Sequence, residues 1–411
     1  MTDAAFGGEA LGHLTDGRVV FVPRGLPGEL ARVQVVEQRR DFARGEMVSV
    51  LRGASGRVEP PCGHYRDGCG GCSWQHADYA LQLKLKRSIV VDQLRRIGHF
   101  AAAENIVRAP IGMLEPWHYR NQARFTVGRR FGELCFTYRA SHRLLRIEHC
   151  WIVHPRIDEV LHIAQGRLAG IERRIHQVSV RVGANTGQVL IAPALPEIPE
   201  LESGQPYLEE ELLGRRFRLH PSSFFQVNTR REARSLPSVV SRAWLPVPED
   251  GLSMADLLAL LVLDRVSPQP SDVVVDAYSG VGTFALLLAP LVREAVGIEE
   301  AKVAVKDAEH NAEGVENVRF IQARTEAALP ALDLRPDAVI LDPARVGCHP
   351  DVLRALLETR RPRIVYVSCD PSTLARDLRV LVDGGYTLNE VQPLDMFPQT
   401  YHVECVATLT R

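Results

Sequence analysis

From Asp272 onward the chain alternates two patterns. Short apolar runs, VVVDAYS, EAVGIEE, VRFIQAR, DAVILDPAR and RIVYVSCD, are separated by stretches such as KVAVKDAEHNAE and VLRALLETR. The runs have strand length and β-branched content, and the intervening stretches carry helical patterning. That alternation predicts βαβ units stacked into a parallel sheet. Parallel strands buried on both faces should be apolar throughout, as VVV, AVILD and IVYVS are. YTLNEVQPL and HVECVATLTR have no helix between them and are expected to close the sheet as a hairpin.

The other end of the chain alternates with the period of strands. ALGHL, VVFV, LARVQVV and RGEMVSVLR are broken by turns at Gly25 and Pro27-Gly28, which predicts a small antiparallel barrel over residues 1–55. Pro60-Pro61 marks a boundary, and YALQLKLKRSIVVDQLRRIG reads as a helix from Asp78 to about Gly98. A mixed segment with strand-like pieces at ARFTVGRR, ELCFTYRA, VSVRVGA and QVLIAP follows. We therefore expect three units, at 1–55, 56–220 and 221–411, the last an α/β, Rossmann-like domain.

Composition adds few constraints. A chain of 411 residues with 45% hydrophobic and 24% charged residues belongs to the globular class, and it holds no apolar run long enough to span a bilayer. The opening MTDAAFGGEA lacks the charged and apolar regions of a secretory signal, so a cytoplasmic location is expected. Net charge is −1, but seven arginines and three glutamates lie between Glu115 and Cys150. Arg215, Arg216, Arg218 and His220 form a second basic group, followed by Arg230, Arg231 and Arg234. Arginine suits phosphate. Lysine, however, occurs only at 84, 86, 302 and 306, so the clusters equally fit a chain that uses arginine as its general cation.

Candidate chemistry is concentrated in three places. Cys62, Cys69 and Cys72 cluster, and with Cys150 they would supply four thiolates; Cys135, inside an alternating strand, is the rival fourth ligand and reads better as core. By spacing alone, structural zinc fits at least as well as iron–sulfur. The strand VVVDAYS runs through Asp276 into Gly280-Val281-Gly282, and the next strand ends in Glu299-Glu300. A glycine turn followed by an acidic strand end suits S-adenosylmethionine, whereas the G-x-G alone would also fit a dinucleotide or a structural turn. Two further strands end in Leu341-Asp342-Pro343-Ala344-Arg345 and Ser368-Cys369-Asp370, and His402-Val403-Glu404 opens the last one. Cys369 and Glu404 form a thiol–carboxylate pair at the edge where ligands of such sheets lie, although a free cysteine is more commonly a small buried hydrophobe.

The strings YVSCDPSTLARDL, TYHVECVATL and SSFFQVN, together with GCGGCSWQHADYALQLKLK, closely resemble the RNA uracil-5-methyltransferase family, and FVPRGLPGE is similar to a TRAM domain. The resemblance covers almost the whole chain. It implies an S-adenosylmethionine-dependent methyltransferase with Cys369 as nucleophile and Glu404 as the base at C5. It implies that Gln226, Tyr278, Thr283, Glu299 and Asp342 line the cofactor pocket, with Asp342 also a candidate for touching uracil. On the cysteines it reverses the order of preference, implying a [4Fe–4S] cluster on Cys62, Cys69, Cys72 and Cys150, with zinc second. The implied partner is RNA: the TRAM-like barrel favours 23S rRNA over tRNA. No membrane or obligate protein partner is implied, and a monomer is expected. The DPAR sequence departs from the family's DPPR without loss of a chemical group, and the match around Arg324 is too weak to transfer a contact. The competing readings are an RNA cytosine-5-methyltransferase and a non-catalytic RNA-binding scaffold.

Overall fold

The computed structural model describes residues 1–128, 131–170, 174–358 and 363–411. At the N-terminus, β1 (Asp3–Ala4), β2 (Ala10–His13), β3 (Val19–Val22), β4 (Leu30–Gln38) and β5 (Phe42–Arg52) form a sheet in the order β1-β2-β3-β5-β4. The alternation in VVFV puts Val20 and Val22 inside with Ala43. One pair departs from the antiparallel expectation: β3 and β5 run parallel. The reason is that β4 folds back on β5 as a long hairpin and leaves the other edge of β5 to β3. Buried Glu29 pairs with Arg57 at 2.5 Å, and the Trp74 indole N–H donates to the Gly8 carbonyl at 3.0 Å. Both contacts fasten this sheet to the segment that follows.

That segment holds α1 (Gly63–Arg66), α2 (Tyr79–Arg96) and α3 (Ala103–Ile106). Asp78 caps α2 by accepting from the Leu81 N–H. Next come β6 (Gln122–Val127), β7 (Leu134–Thr137), β8 (Leu144–Arg146), α4 (Pro155–Ala164), β9 (Gln177–Val182) and β10 (Val189–Ala192). Their antiparallel sheet, β10-β9-β6-β7-β8, packs on α4 around its own core of Phe125, Ile157, Leu161 and Val180. A hairpin, β11 (Leu208–Leu212) with β12 (Arg215–Leu219), completes the middle of the chain.

The C-terminal part contains α5 (Met254–Val266), β13 (Val273–Asp276), α6 (Thr283–Leu288), β14 (Glu294–Glu299), α7 (Lys302–Asn311), β15 (Val318–Gln322) and α8 (Thr325–Ala331). It continues with β16 (Ala338–Leu341), α9 (Pro350–Glu358), β17 (Arg363–Ser368), α10 (Pro371–Asp383), β18 (Thr387–Leu394) and β19 (Glu404–Thr410). The strands form one sheet in the order β15-β14-β13-β16-β17-β19-β18. The first five are parallel, while β19 runs antiparallel to both its neighbours, β17 and β18. Alternate residues feed two cores. Val274, Ile340 and Val365 face α5 and α6, whereas Val275, Val339 and Tyr366 face α2, α9 and α10. Strand order reverses at β13, so a crevice opens outside the ends of β13 and β16.

Packing crosses the expected divisions at 55, where Ala4 and Leu26 share a core with Trp74 and Ile89, and at 220. Val90, Val91 and Leu94 of α2 join the core beneath α10, and Leu212 and Phe217 of the hairpin join α5. Sequence reading passed over α5, which is apolar all round and shows no face; the hairpin covers what the sheet does not. A capping box between Ser253 and Asp256 starts it, and Asp256 also accepts from the Leu213 N–H at 2.8 Å. No helix among the described residues is long and apolar enough to cross a membrane.

One loop is held from several sides. Lys86 of α2 and Asp395, both fully buried, pair at 2.5 Å, and the ammonium also donates to the Phe397 carbonyl at 3.0 Å. The Gln82 amide donates to the Gln399 side chain and accepts from the Gln399 backbone N–H, each at 2.9 Å. Tyr119 and Asn228 donate to the carbonyls of Pro398 and Met396. Removing one buried charge leaves the other unpaired, which costs about 3–5 kcal/mol. Asp395→Ala should therefore lower the denaturant midpoint by that amount of stability, and the double change Lys86→Met, Asp395→Leu should recover most of it. A midpoint for Asp395→Ala equal to the wild type would show that the pair is not a structural anchor.

Candidate active site

The crevice is built from the glycine turn outward. Asp276 ends β13, and the chain turns through Gly280 (φ +53°) and Gly282 (φ +86°) into α6. A Cβ at Gly282 would stand 2.6 Å from the Phe320 ring, so close packing excludes a side chain there. A Cβ at Gly280 would meet nothing within 4 Å, and the backbone here faces open space. Glu299, at the end of β14, accepts from the Gly280 N–H at 3.0 Å and from the Ala301 N–H at 2.7 Å. It thus holds the turn while lining the cavity. Asp276 is buried and accepts from the Ala285 N–H at 3.2 Å, with its other oxygen unpartnered among the described residues.

Cys369 and Glu404 meet across the sheet. β17 and β19 are antiparallel with Ser368 opposite Cys405, so the next step of the ladder sets Cys369 beside Glu404. Asp370 then caps α10 by accepting from the Ser372 and Thr373 N–H groups, which ends the strand at the cysteine. Burial pushes the Cys369 thiol up to about 12, with the Glu404 carboxylate adding to the rise and the Arg345 guanidinium opposing it. Burial also holds Glu404 well above the usual carboxylate range, helped by Asp342. Asp342 itself, just beyond β16, is raised to about 7 by burial, and Asp276 to about 8 by burial and the nearby Asp342. The crevice floor is therefore a set of carboxyl groups short of water, with Arg345 the cation beside Cys369 and Glu404.

A single cavity of about 1190 Å³ joins these parts. Of the residues expected to hold a cofactor, Gln226, Tyr278, Glu299 and Asp342 line it, as do Cys369 and Glu404. Thr283 lies instead on a recess of about 40 Å³ that shares Gln226, Tyr278, Gly280 and Asp342 with the main space. Gln226 comes from the loop after the hairpin, fixed by the Arg181 guanidinium on the Ser223 carbonyl and by the Asn121 N–H on the Val227 carbonyl. Sequence reading missed Phe224, Arg324 and Arg345 on the cavity wall. Arg345 follows the Asp342 motif directly, and Phe224, at 66% exposure, sits beside Gln226, so both signals were available. Arg324 comes from the segment whose family match was weak.

The same cavity reaches the cysteines. Cys62, Cys69, Cys72 and Cys150 all line it, while Cys135 is buried in β7 and does not. Burial raises Cys69, Cys72 and Cys150, the last to about 12, and the neighbouring thiols add to each rise. The Gly71 N–H points at the Cys69 sulfur at 3.5 Å. Among the described residues no group of three or more His, Cys, Asp or Glu side chains is arranged to hold a metal ion. Arg120 and Arg124 line the cavity too; their neighbours Arg129 and Arg130 lie outside the described residues.

A reversing parallel sheet, a glycine turn with an acidic strand end, and a thiol–carboxylate pair at its rim define a methyltransferase-type α/β fold. A family model described as tRNA (Uracil-5-)-methyltransferase matches residues 258–411, and a TRAM domain model matches residues 2–48. An uncharacterized RNA methyltransferase of Gloeobacter violaceus is 36% identical, across 100% of this chain and 95% of its own. Another, of Halalkalibacterium halodurans, is 34% identical across 96% and 92%. The crystal structure of the Pyrococcus abyssi tRNA (uracil-54, C5)-methyltransferase in complex with S-adenosyl-L-homocysteine has the same fold, with a TM-score of 0.68 at 23% identity, covering 98% of this chain and 100% of that one. The chain belongs to this family of RNA methyltransferases, with an N-terminal TRAM domain and a C-terminal part that matches the tRNA (Uracil-5-)-methyltransferase family model.

The carboxyl floor gives a pH test with a definite sign. Below about 7 Asp342 is protonated, and below about 8 Asp276 is, so a cation gains little from either. As pH rises through that window both ionise and attract positive charge. Affinity for the sulfonium S-adenosylmethionine should rise by about tenfold, while that for neutral S-adenosylhomocysteine stays nearly flat. Parallel profiles in calorimetric titrations would refute the charge assignment.

Proposed function

We propose that this protein methylates C5 of a uridine in RNA, with S-adenosylmethionine as donor. The observation that carries the reading is Cys369 set beside Glu404 on adjacent antiparallel strands, in one cavity with the Gly280–Glu299 turn. Uracil C5 is too weak a nucleophile to take a methyl group unaided. The Cys369 thiolate adds to C6, and the electron pair of the C5–C6 double bond moves to make C5 nucleophilic. Once C5 carries the methyl group, Glu404 takes the remaining C5 proton; the double bond re-forms and the C6–sulfur bond breaks. Arg345 supports the thiolate against the burial and carboxylates that oppose it. S-adenosylmethionine, when bound, supplies an electrophilic methyl group on a positively charged sulfur. Gln226, Tyr278, Glu299 and Asp342 would hold it, with Thr283 in the adjoining recess.

Large-subunit rRNA is the first substrate reading, on the family resemblance carried by the N-terminal barrel. Transfer RNA is the second, favoured by the architecture shared with the Pyrococcus abyssi enzyme over 98% of this chain. Arg120 and Arg124 on the cavity wall suit the backbone of either.

Two substitutions separate the roles. On RNA containing 5-fluorouridine the wild type should form a stable covalent adduct, because fluorine cannot leave as a proton. Cys369→Ala should form none and lose at least 1000-fold in turnover while binding cofactor normally. On ordinary uridine RNA, Glu404→Gln should transfer methyl and then stall with the methylated RNA still attached. Normal turnover by Cys369→Ala would exclude the mechanism; absence of both methyl transfer and adduct in Glu404→Gln would remove Glu404 as the C5 base.

We also propose a [4Fe–4S] cluster on Cys62, Cys69, Cys72 and Cys150. Four thiols on one wall make the right donor set, and a cluster gives each thiolate its own iron. A single zinc on the same four sulfurs is the second reading of this donor set. Anaerobically purified protein should be brown with equal iron and acid-labile sulfide. Replacing Cys150 should abolish the colour, and replacing Cys135 should spare it. Colourless protein with one zinc and no sulfide would reverse the assignment.

A further inference from the structure

An indole lies open on the cavity wall. Trp151 is 37% exposed and lines the same space as Cys369, although nothing in the chemistry above employs it. Three rings hold it in place. Trp117 meets it edge-on at 6.1 Å, His149 edge-on at 5.4 Å, and His118 lies tilted at 6.2 Å. Trp117 is itself packed against the main core, and the Arg230 guanidinium donates to its carbonyl at 3.3 Å. The backbone adds rigidity. The His118 N–H donates to the Trp151 carbonyl at 3.0 Å and the Arg120 N–H to the Ile152 carbonyl at 2.8 Å, so the segments carrying the indole and Arg120 run side by side. Arg120 and Arg124 line the same wall, and neither pairs with a carboxylate among the described residues.

We propose that Trp151 is a stacking platform for an unpaired RNA base beside the target uridine, with Arg120 placed for the connecting phosphate; this rests on the RNA reading above. Drawing a uridine out of its stack leaves its neighbours without a partner face. A fixed aromatic ring replaces that face for any base, and an adjacent guanidinium complements the phosphate. The arrangement has both elements: a ring braced by three others, and arginines in the same lining without acidic partners among the described residues. A protein partner would need a broad apolar patch here, whereas Trp151 stands beside His118 and His149 in a lining shared with Arg120 and Arg124. The alternative is that the indole only shields Cys150 from water.

The test uses the full-length protein and short RNAs containing one 5-fluorouridine, with an abasic nucleotide placed in turn at each flanking position. Affinity is measured for the wild type, Trp151→Ala and Trp151→Phe, with S-adenosylhomocysteine binding and visible absorbance as controls. Trp151→Ala should weaken RNA binding roughly tenfold, and Trp151→Phe should recover most of it. At one flanking position the abasic nucleotide should weaken the wild type by a similar factor and leave Trp151→Ala unchanged. Equal affinities for wild type and Trp151→Ala, or equal abasic losses in both at every position, would overturn the platform. So would a loss of affinity that tracks loss of visible absorbance and that no abasic position cancels, which is the shielding outcome. The affinity arms need no turnover, so a wild type that binds but forms no fluorouridine adduct would count against the methylation mechanism and leave the platform to be judged by binding.

Discussion

A lysine and an aspartate, both cut off from water, hold the catalytic end of this molecule together. Lys86 sits on α2, early in the chain, and Asp395 in the loop that leads to Glu404; the pair spans the interval between them at 2.5 Å. Burying two charges is costly, and an apolar pair of similar volume would often be as stable. What an apolar pair would lack is direction. The ammonium reaches both the Asp395 carboxylate and the Phe397 carbonyl, and Gln82, one turn earlier on the same helix, fixes Gln399. Phe397 and Glu404 both line the cavity, so the clamp shapes a wall of the site without touching its reactants.

Electrostatics then gives the cavity two kinds of lining. The floor carries Asp342, Glu404 and, behind the wall, Asp276, all shifted toward the neutral form by burial. The lining also carries Arg120, Arg124, Arg324 and, beside Cys369 and Glu404, Arg345. A polyanion approaching the arginines meets attraction, whereas buried carboxyls held toward the neutral form offer its backbone none. A neutral base can cross to the floor, and a sulfonium is favoured there.

The C-terminal sheet was legible because its parallel strands are buried on both faces and its helices have one apolar side. Cys369, Glu404 and the glycine turn were found for the same reason: each ends or starts a readable strand. The helix α5 was not readable, since LLALLVLDRV is apolar all round and shows neither period. The parallel pairing of β3 with β5 was hidden because alternation marks a strand's faces and says nothing of its direction. The clamp was quoted in the motif ALQLKLK, yet its purpose could not be seen. A lysine in a helix reads as solvated until its partner, more than three hundred positions away, is known.

The last strand has one further property. β19 is buried on both faces from Glu404 to Leu409, so its hydrophobic pattern fits a displaced alignment as well as the true one. A slip of one residue would keep most apolar contacts and carry the carboxylate to the opposite face of the sheet, away from the thiol. Something outside the strand must therefore count the residues. The segment from Asp395 to Thr400, tied at Asp395, Met396, Phe397, Pro398 and Gln399, is short enough to do so. It works as a ruler laid between two fixed points, and its length determines which atom of the chain arrives opposite the cysteine.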